Sequence, residues 1–317
     1  MHSKSGMAKR WPDSRWWRWI QAAAGLAVIG FVARHLIRNW ETVRAESISW
    51  EFKPHWILLS LVLVLATYAL LAEAWRRMLA GWGPRLGFRE AARIWVMSSM
   101  GKYLPGKVWA IAGMALLAER RGISPAIATA SALILQIASL GTGALVVGLT
   151  GVSVLESHRP GSRWAVSFLL VASVVALAMV MRPGAATRVL RRFTGAKEQR
   201  ITPPAGPLGF GIIANLAAWT AYGVALWLLT RGVLASAELS LLDAIGAFAG
   251  SYIAGLLFLL APGGLGVREG VFIWMVQDRI GPANALALAG VSRIGMTLAD
   301  LLAALPFVAR RWNRSGD

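Results

Sequence analysis

The residues best placed to do chemistry lie at Ala261 to Gly270, A-P-G-G-L-G-V-R-E-G, where four glycines, a proline and an adjacent Arg268/Glu269 pair interrupt apolar sequence. Gly and Pro release backbone groups that hydrocarbon cannot satisfy, and an ionisable pair at membrane depth is costly unless it faces protein or water. The pattern therefore predicts a broken helix lining a polar site. A second interruption, K-Y-L-P-G-K-V-W, runs from Lys102 to Trp109. At each break a helix restarts after Pro-Gly, so free N–H groups and the positive end of the helix dipole attract an anion. Lys102, Tyr103, Pro105, Gly106 and Lys107 at the first break, Gly263, Gly264, Gly266 and Arg268 at the second, and Arg293 further along are the candidate binding residues for a lipid headgroup. The alternative for the lysines is snorkelling to the surface.

Further along, Arg293 and Asp300 stand seven residues apart in an apolar run from Ala283 to Val308, two turns apart on one helix face. Buried ions there need partners. Arg293 with Glu269 and Arg268 with Asp300 are the candidate pairings, as a gate, a proton-coupled site or a structural tie between helices. Gln136, the counterpart of Arg293 in the repeat described below, joins Glu269 and Asp300 as a candidate for gating or proton coupling, and Asn215 is expected to make a helix–helix hydrogen bond.

The elements that must hold these residues are membrane helices. Mean hydropathy is +0.56, with 56% hydrophobic and 15% charged residues, and Trp56 to Ala72 and Ala165 to Met181 are uncharged runs of spanning length. Period-two alternation, the mark of a barrel, is absent from them. The net charge of +18 gathers at the ends of apolar runs, which is positive-inside patterning and excludes a nucleic-acid groove. With no Cys, and with His2, His35, His55 and His158 scattered, neither disulfides nor a metal site is expected. No cofactor motif is present, and no nucleophile has a plausible base, so enzymatic chemistry is not expected. Glu73 reads as a helix-end partner of Arg76 and Arg77.

In order, residues 1–15 form a polar basic tail, Trp19 to Leu36 a first span and Trp56 to Trp75 a second. A hairpin follows from Ala91 to Leu117 around the first break, then helices at Pro125 to Leu149 and Trp164 to Met181. The basic, Pro-containing stretch 182–207 reads as a cytoplasmic linker. Leu208 to Leu229 spans again; Ala244 to Leu260 and Val271 to Val276 flank the second break, and Pro282 to Val308 is the last helix, before a basic tail at 313–317. The basic clusters are all accommodated if six helices cross fully, both broken segments fold back, and both termini are cytoplasmic.

An offset of 157 residues pairs Pro105 with Pro262, Gly106 with Gly263, Gly113 with Gly270 and Pro125 with Pro282. From Pro105 to Leu145 there are 11 identities, against roughly three to four expected from this composition. Repeats of about 91–150 and 244–309 within a single membrane domain, 16–312, are implied. Three crossings separate the hairpins, so the copies enter from opposite faces. The expected fold class is thus an all-α polytopic membrane helix bundle, six full spans plus two re-entrant broken-helix hairpins in an inverted repeat, an architecture used for alternating access.

The motifs Y-L-P-G-K and P-G-G-L-G-V-R-E-G, with the following G-P-A-N-A-L-A-L-A-G-V-S-R helix, resemble the membrane domain of the lysylphosphatidylglycerol synthetase/flippase family from about Ile57 to Val308. The resemblance implies a bacterial inner-membrane protein that moves or handles polar lipids, such as an aminoacyl-phospholipid, a hopanoid or a polyprenyl-phosphate glycolipid. It carries over to Pro105, Gly106, Pro262, Gly263, Gly264, Gly266, Arg268, Glu269 and Arg293, and departs at Gln136, where an acidic or Glu-Arg pair is implied. The large soluble domain of synthetase relatives has no counterpart here, so synthetase activity is not expected. The partners implied are membrane lipids; a non-transporting scaffold for a lipid- or glycan-synthesising enzyme is the alternative, a membrane-embedded lipid transferase is a third reading, and a homo-oligomer is left open.

Overall fold

The computed structural model describes residue 48 and residues 50–104, 109–151, 163–182, 205–235, 238–258 and 262–312. The expected first span at 19–36, most of the linker, both tails, and Pro105, Gly106 and Lys107 lie outside the described residues. Within them the chain is helical: α1 (Pro54–Ala80), α2 (Phe88–Ser99), α3 (Trp109–Glu119), α4 (Pro125–Thr150), α5 (Arg163–Met181), α6 (Ala205–Val233), α7 (Leu241–Leu257), α8 (Val267–Ile280) and α9 (Pro282–Trp312). Short 3₁₀ turns, Met100–Tyr103 and Pro262–Gly264, sit at the two interruptions. Among the described residues, α1, α4, α6 and α9 are long and apolar enough to cross a membrane, and α5 adds a shorter apolar stretch, Val166–Met181.

Local sequence explains where the helices begin. Pro54 and Pro125 each occupy a first-turn position, where the missing N–H would have had no partner. Ser240 caps α7 by accepting from Asp243 N at 3.0 Å. Glu73, as expected, accepts from Arg76 Nε at 2.6 Å and Arg77 Nε at 2.8 Å on its own helix. One boundary differs clearly from expectation: α8 starts at Val267, not Val271, because the Glu269 carboxylate accepts the Gly266 N–H at 2.7 Å and closes the first turn.

The interrupted segments form two antiparallel hairpins. In the first, α2 against α3, Glu90 pairs with Arg121 at 2.6 Å near the base, and a Cβ on Gly113 would lie 3.6 Å from Ser98 Cα. At its tip Gly101 sits so close to Ala110 N that a Cβ would come within 2.6 Å. In the second, α7 against α8, Asp243 and Arg279 lie 3.9 Å apart at the base, and near the tip a Cβ on Gly255 would fall 3.1 Å from Arg268 Cβ.

Helix α4 relates the two hairpins. Ile123, just before its start, packs with Ala91 and Ala118 at the first hairpin's base. Thr150 and Gly151, at its end, are close neighbours of Gly246 near the base of the second. Twenty-six residues at about 1.5 Å each separate these ends by roughly 40 Å. The hairpins thus point at each other from opposite ends of α4, and their 3₁₀ tips touch. Helix α1 runs antiparallel to α6, its start against Gly232 and Met78 near Gly211. The largest core cluster, including Trp219, Phe248, Phe272, Met275 and Leu288, surrounds the second hairpin.

Candidate functional site

The hairpin tips meet against one face of α9, and Asp300 and Arg293 on that face each hold one of them. Asp300 is 2% exposed and accepts from three side chains: Tyr68 Oη on α1 at 2.8 Å, Lys102 Nζ at 2.9 Å and Tyr103 Oη at 2.5 Å. A buried carboxylate survives only with such compensation. Two turns earlier, Arg293 Nη1 donates to Gly263 O at 3.0 Å and lies 3.5 Å from Glu269 Oε1. Glu269 therefore serves both the α8 cap and Arg293. Gly263, Gly264 and Gly266 have φ of +57°, +71° and +80°, which bring the chain back sharply enough for Gly264 to contact Gly255.

Arg268 is buried beside Arg293, and its partner is aromatic. Its guanidinium carbon lies 5.0 Å from the Phe248 ring centre and 5.1 Å from that of Tyr252, a cation–π arrangement. Asp300, its expected partner, is taken by Lys102. The two are divided by an aromatic row: Tyr68 lies 6.3 Å from Tyr222, Tyr222 stacks on Phe248 at 5.1 Å, and Phe248 stacks on Tyr252 at 5.9 Å. Arg268 and Arg293, with Ser251, Glu269, Phe272 and Ser292, line a cavity of about 10 Å³. That is room for a single water.

Of the residues singled out in the sequence, Lys102, Tyr103, Gly263, Gly264, Gly266, Arg268, Glu269, Arg293 and Asp300 gather at the tips. Gln136 does not: it lies exposed on α4. Asn215 Nδ2 donates to Gly211 O, one turn back on its own helix, at 2.8 Å instead of reaching across helices. Tyr68, Phe248, Tyr252, Ser251 and Ser292 belong to the site and were not foreseen. Tyr68 carried a usable signal, since a phenol inside an uncharged run needs a buried partner. Phe248 and Tyr252 have helical i,i+4 spacing that ordinary core residues share, so nothing marked them as a cation's neighbours.

A family profile described as Lysylphosphatidylglycerol synthase TM region matches residues 18–304, a span holding both hairpins, Arg293 and Asp300. The chain belongs to this family. No curated protein sequence matches it. Membership of the Lysylphosphatidylglycerol synthase TM family, with the four long apolar helices, makes the chain an integral membrane protein and gives it a membrane-lipid-related function.

Proposed function

We propose that the chain translocates a polar or anionic lipid, such as an aminoacyl-phospholipid, hopanoid or polyprenyl-phosphate glycolipid, across the bacterial inner membrane, acting as a transporter and not as an enzyme. In this reading six helices cross, the two hairpins are re-entrant halves of an inverted repeat, and both termini face the cytoplasm. The observation that carries it is the pair of guanidiniums, Arg268 and Arg293, facing one cavity where hairpins from opposite ends of the bundle meet. Two Arg side chains offer forked donors suited to phosphate or carboxylate, and helix ends at the midplane are how such repeats hold substrate.

A cavity of about 10 Å³ admits no headgroup, so this arrangement is the closed one. Opening requires the tips to part, and the contacts that then break are Lys102 with Asp300 and Arg293 with Gly263 O. A ligand opens the cavity only by binding the parted form better. An anion meets that condition by replacing carboxylate and carbonyl as the partner of these cations.

Reconstituted proteoliposomes carrying a fluorescent or radiolabelled anionic lipid test the reading. Wild type is expected to move the lipid and Arg268→Ala to lose that activity; equal translocation by the two would overturn the proposal. The tightly filled cavity also supports a second reading, a non-transporting scaffold for a lipid- or glycan-synthesising enzyme. Absence of stand-alone translocation together with stoichiometric co-purification of a glycosyltransferase would favour it.

A further inference from the structure

The chain ahead of α1 is zipped onto the end of α6. Lys53 N donates to Gly232 O at 2.9 Å, Glu51 N donates to Val233 O at 3.1 Å, and Trp50 and Leu234 form an antiparallel bridge. Gly232 permits this closeness: a Cβ there would lie 2.7 Å from Ile57 Cγ1. The main-chain bonds fix Lys53 and Trp56 beside Arg231, and with Glu238 and Ser240 these residues wall an open pocket of about 710 Å³. Small-molecule sites occupy roughly 300–1,000 Å³. Lys53 stands fifteen residues before Tyr68 of the tip cluster, about 20 Å along α1, so this pocket is separate from the Arg268–Arg293 cavity.

Its chemistry is specific. Arg231 lies 4.0 Å over the Trp227 ring centre, and a guanidinium laid on an indole keeps its in-plane N–H groups for an acceptor. Lys53 is paired with Glu51 at 2.7 Å with both side chains well exposed, a contact weak enough to exchange for another anion. Ser240 Oγ is engaged by Asp243, and Glu238 adds a carboxylate to the pocket wall, an acceptor for hydroxyls. The pocket opens where α1 starts and α6 ends, both helices of spanning length, and so stands at headgroup height. Trp50 and Phe52 are exposed beside it, as aromatics at a membrane boundary are. Leu58, Leu59 and Val62, which follow Trp56 on α1, are exposed.

We infer that this pocket binds the headgroup of an anionic glycerophospholipid. The phosphodiester sits between Arg231 and Lys53, the headgroup hydroxyls meet Glu238, and the acyl chains follow Leu58, Leu59 and Val62. The site is independent of transport: it holds a resident lipid whether or not the tips move another.

Native mass spectrometry of the full-length protein, titrated with phosphatidylglycerol or phosphatidylcholine, tests it. Arg231→Gln and Lys53→Gln are each expected to weaken one phosphatidylglycerol-binding step by about tenfold, the worth of a charge-assisted hydrogen bond. Arg231→Lys should lose less, phosphatidylcholine binding should be unchanged in all variants, and Arg268→Ala should keep this step, which separates the site from the proposed transport cavity. If Arg231→Gln aggregates, the exposed Lys53→Gln alone decides. Equal phosphatidylglycerol binding by wild type and Lys53→Gln overturns the inference. Displacement of the lipid by soluble glycerol phosphate at comparable concentration also overturns it, and assigns the pocket to a free phosphate-bearing polyol.

Discussion

Lys102, at the tip of the first hairpin, and Asp300, on α9, are joined by both carboxylate oxygens, at 2.9 Å to Oδ1 and 2.7 Å to Oδ2. Arg293, two turns before Asp300, reaches the tip of the second hairpin through Gly263 O. A single face of one helix therefore holds both tips in place. Loss of either tie frees one hairpin without directly touching the other, so the two hairpins can be perturbed separately.

Asp300→Asn should destabilise the protein. It leaves Lys102 without its counter-charge and requires Tyr68 and Tyr103 to share a weaker acceptor. Breaking a fully buried pair costs about 3–5 kcal/mol, but Lys102 is 31% exposed and rehydrates in part, so about 1–3 kcal/mol is expected. The double variant Lys102→Met/Asp300→Asn should recover part of the loss, as residues in direct contact do in a mutant cycle. Thermal unfolding midpoints in one detergent check this; strict additivity would mean that the pair carries no coupling.

Gly264→Ala should be worse than Gly263→Ala. Both positions have positive φ, which costs an L-residue about 1–2 kcal/mol. At Gly264 a Cβ would also come within 2.9 Å of Gly255 Cα, which is backbone, whereas at Gly263 the 2.9 Å neighbour is Arg293 Nη2, the far end of a flexible side chain. Overpacking against backbone adds roughly 1–3 kcal/mol. Gly264→Ala is thus expected to unfold at the lower temperature, and Gly263→Ala to remain folded with Arg293 displaced and lipid translocation reduced.

What was legible in the sequence is what backbone chemistry dictates. Pro125 marks a helix start, the second Pro-Gly run supplies its positive-φ turn, and the spacing of Arg293 and Asp300 places them on one face. Partner choice was not legible. Arg268 was expected to find Asp300, but α7 brings Phe248 and Tyr252 under its guanidinium while Lys102 and two phenols saturate the carboxylate. Gln136 shows the limit of repeat reasoning: the 157-residue offset matches it to Arg293, yet one is exposed on α4 and the other engages a tip. The Trp50–Leu234 bridge had no signal, because one residue pair carries no alternation.

Glu269→Gln and Glu269→Ala should part company. The carboxylate accepts the Gly266 N–H at 2.7 Å and faces Arg293 at 3.5 Å. Gln keeps an acceptor for the α8 cap and loses only the charge; Ala loses both. The Ala variant is expected to be less stable than the Gln variant by about 1 kcal/mol, the usual worth of a cap. Thermal unfolding measures this difference. If both variants match wild type in stability, the cap contributes nothing and α8 is held by its contacts with α7 alone.

Arg268→Leu separates packing from function. The side chain is 91% buried, by its 9% exposure, and its contacts with Phe248 and Tyr252 offset only part of the cost of removing a cation from water. Replacing buried ions by well-packed apolar residues of similar volume is often neutral or stabilising by about 1–4 kcal/mol. Arg268→Leu should therefore unfold at or above the wild-type temperature. In the same preparation, lipid translocation should be lost, because the cavity has one forked donor fewer for the anion. A variant that is both less stable and inactive would mean that Arg268 holds α7 to α8 as a structural cation; one that is as stable and as active as wild type would overturn the proposed transport site.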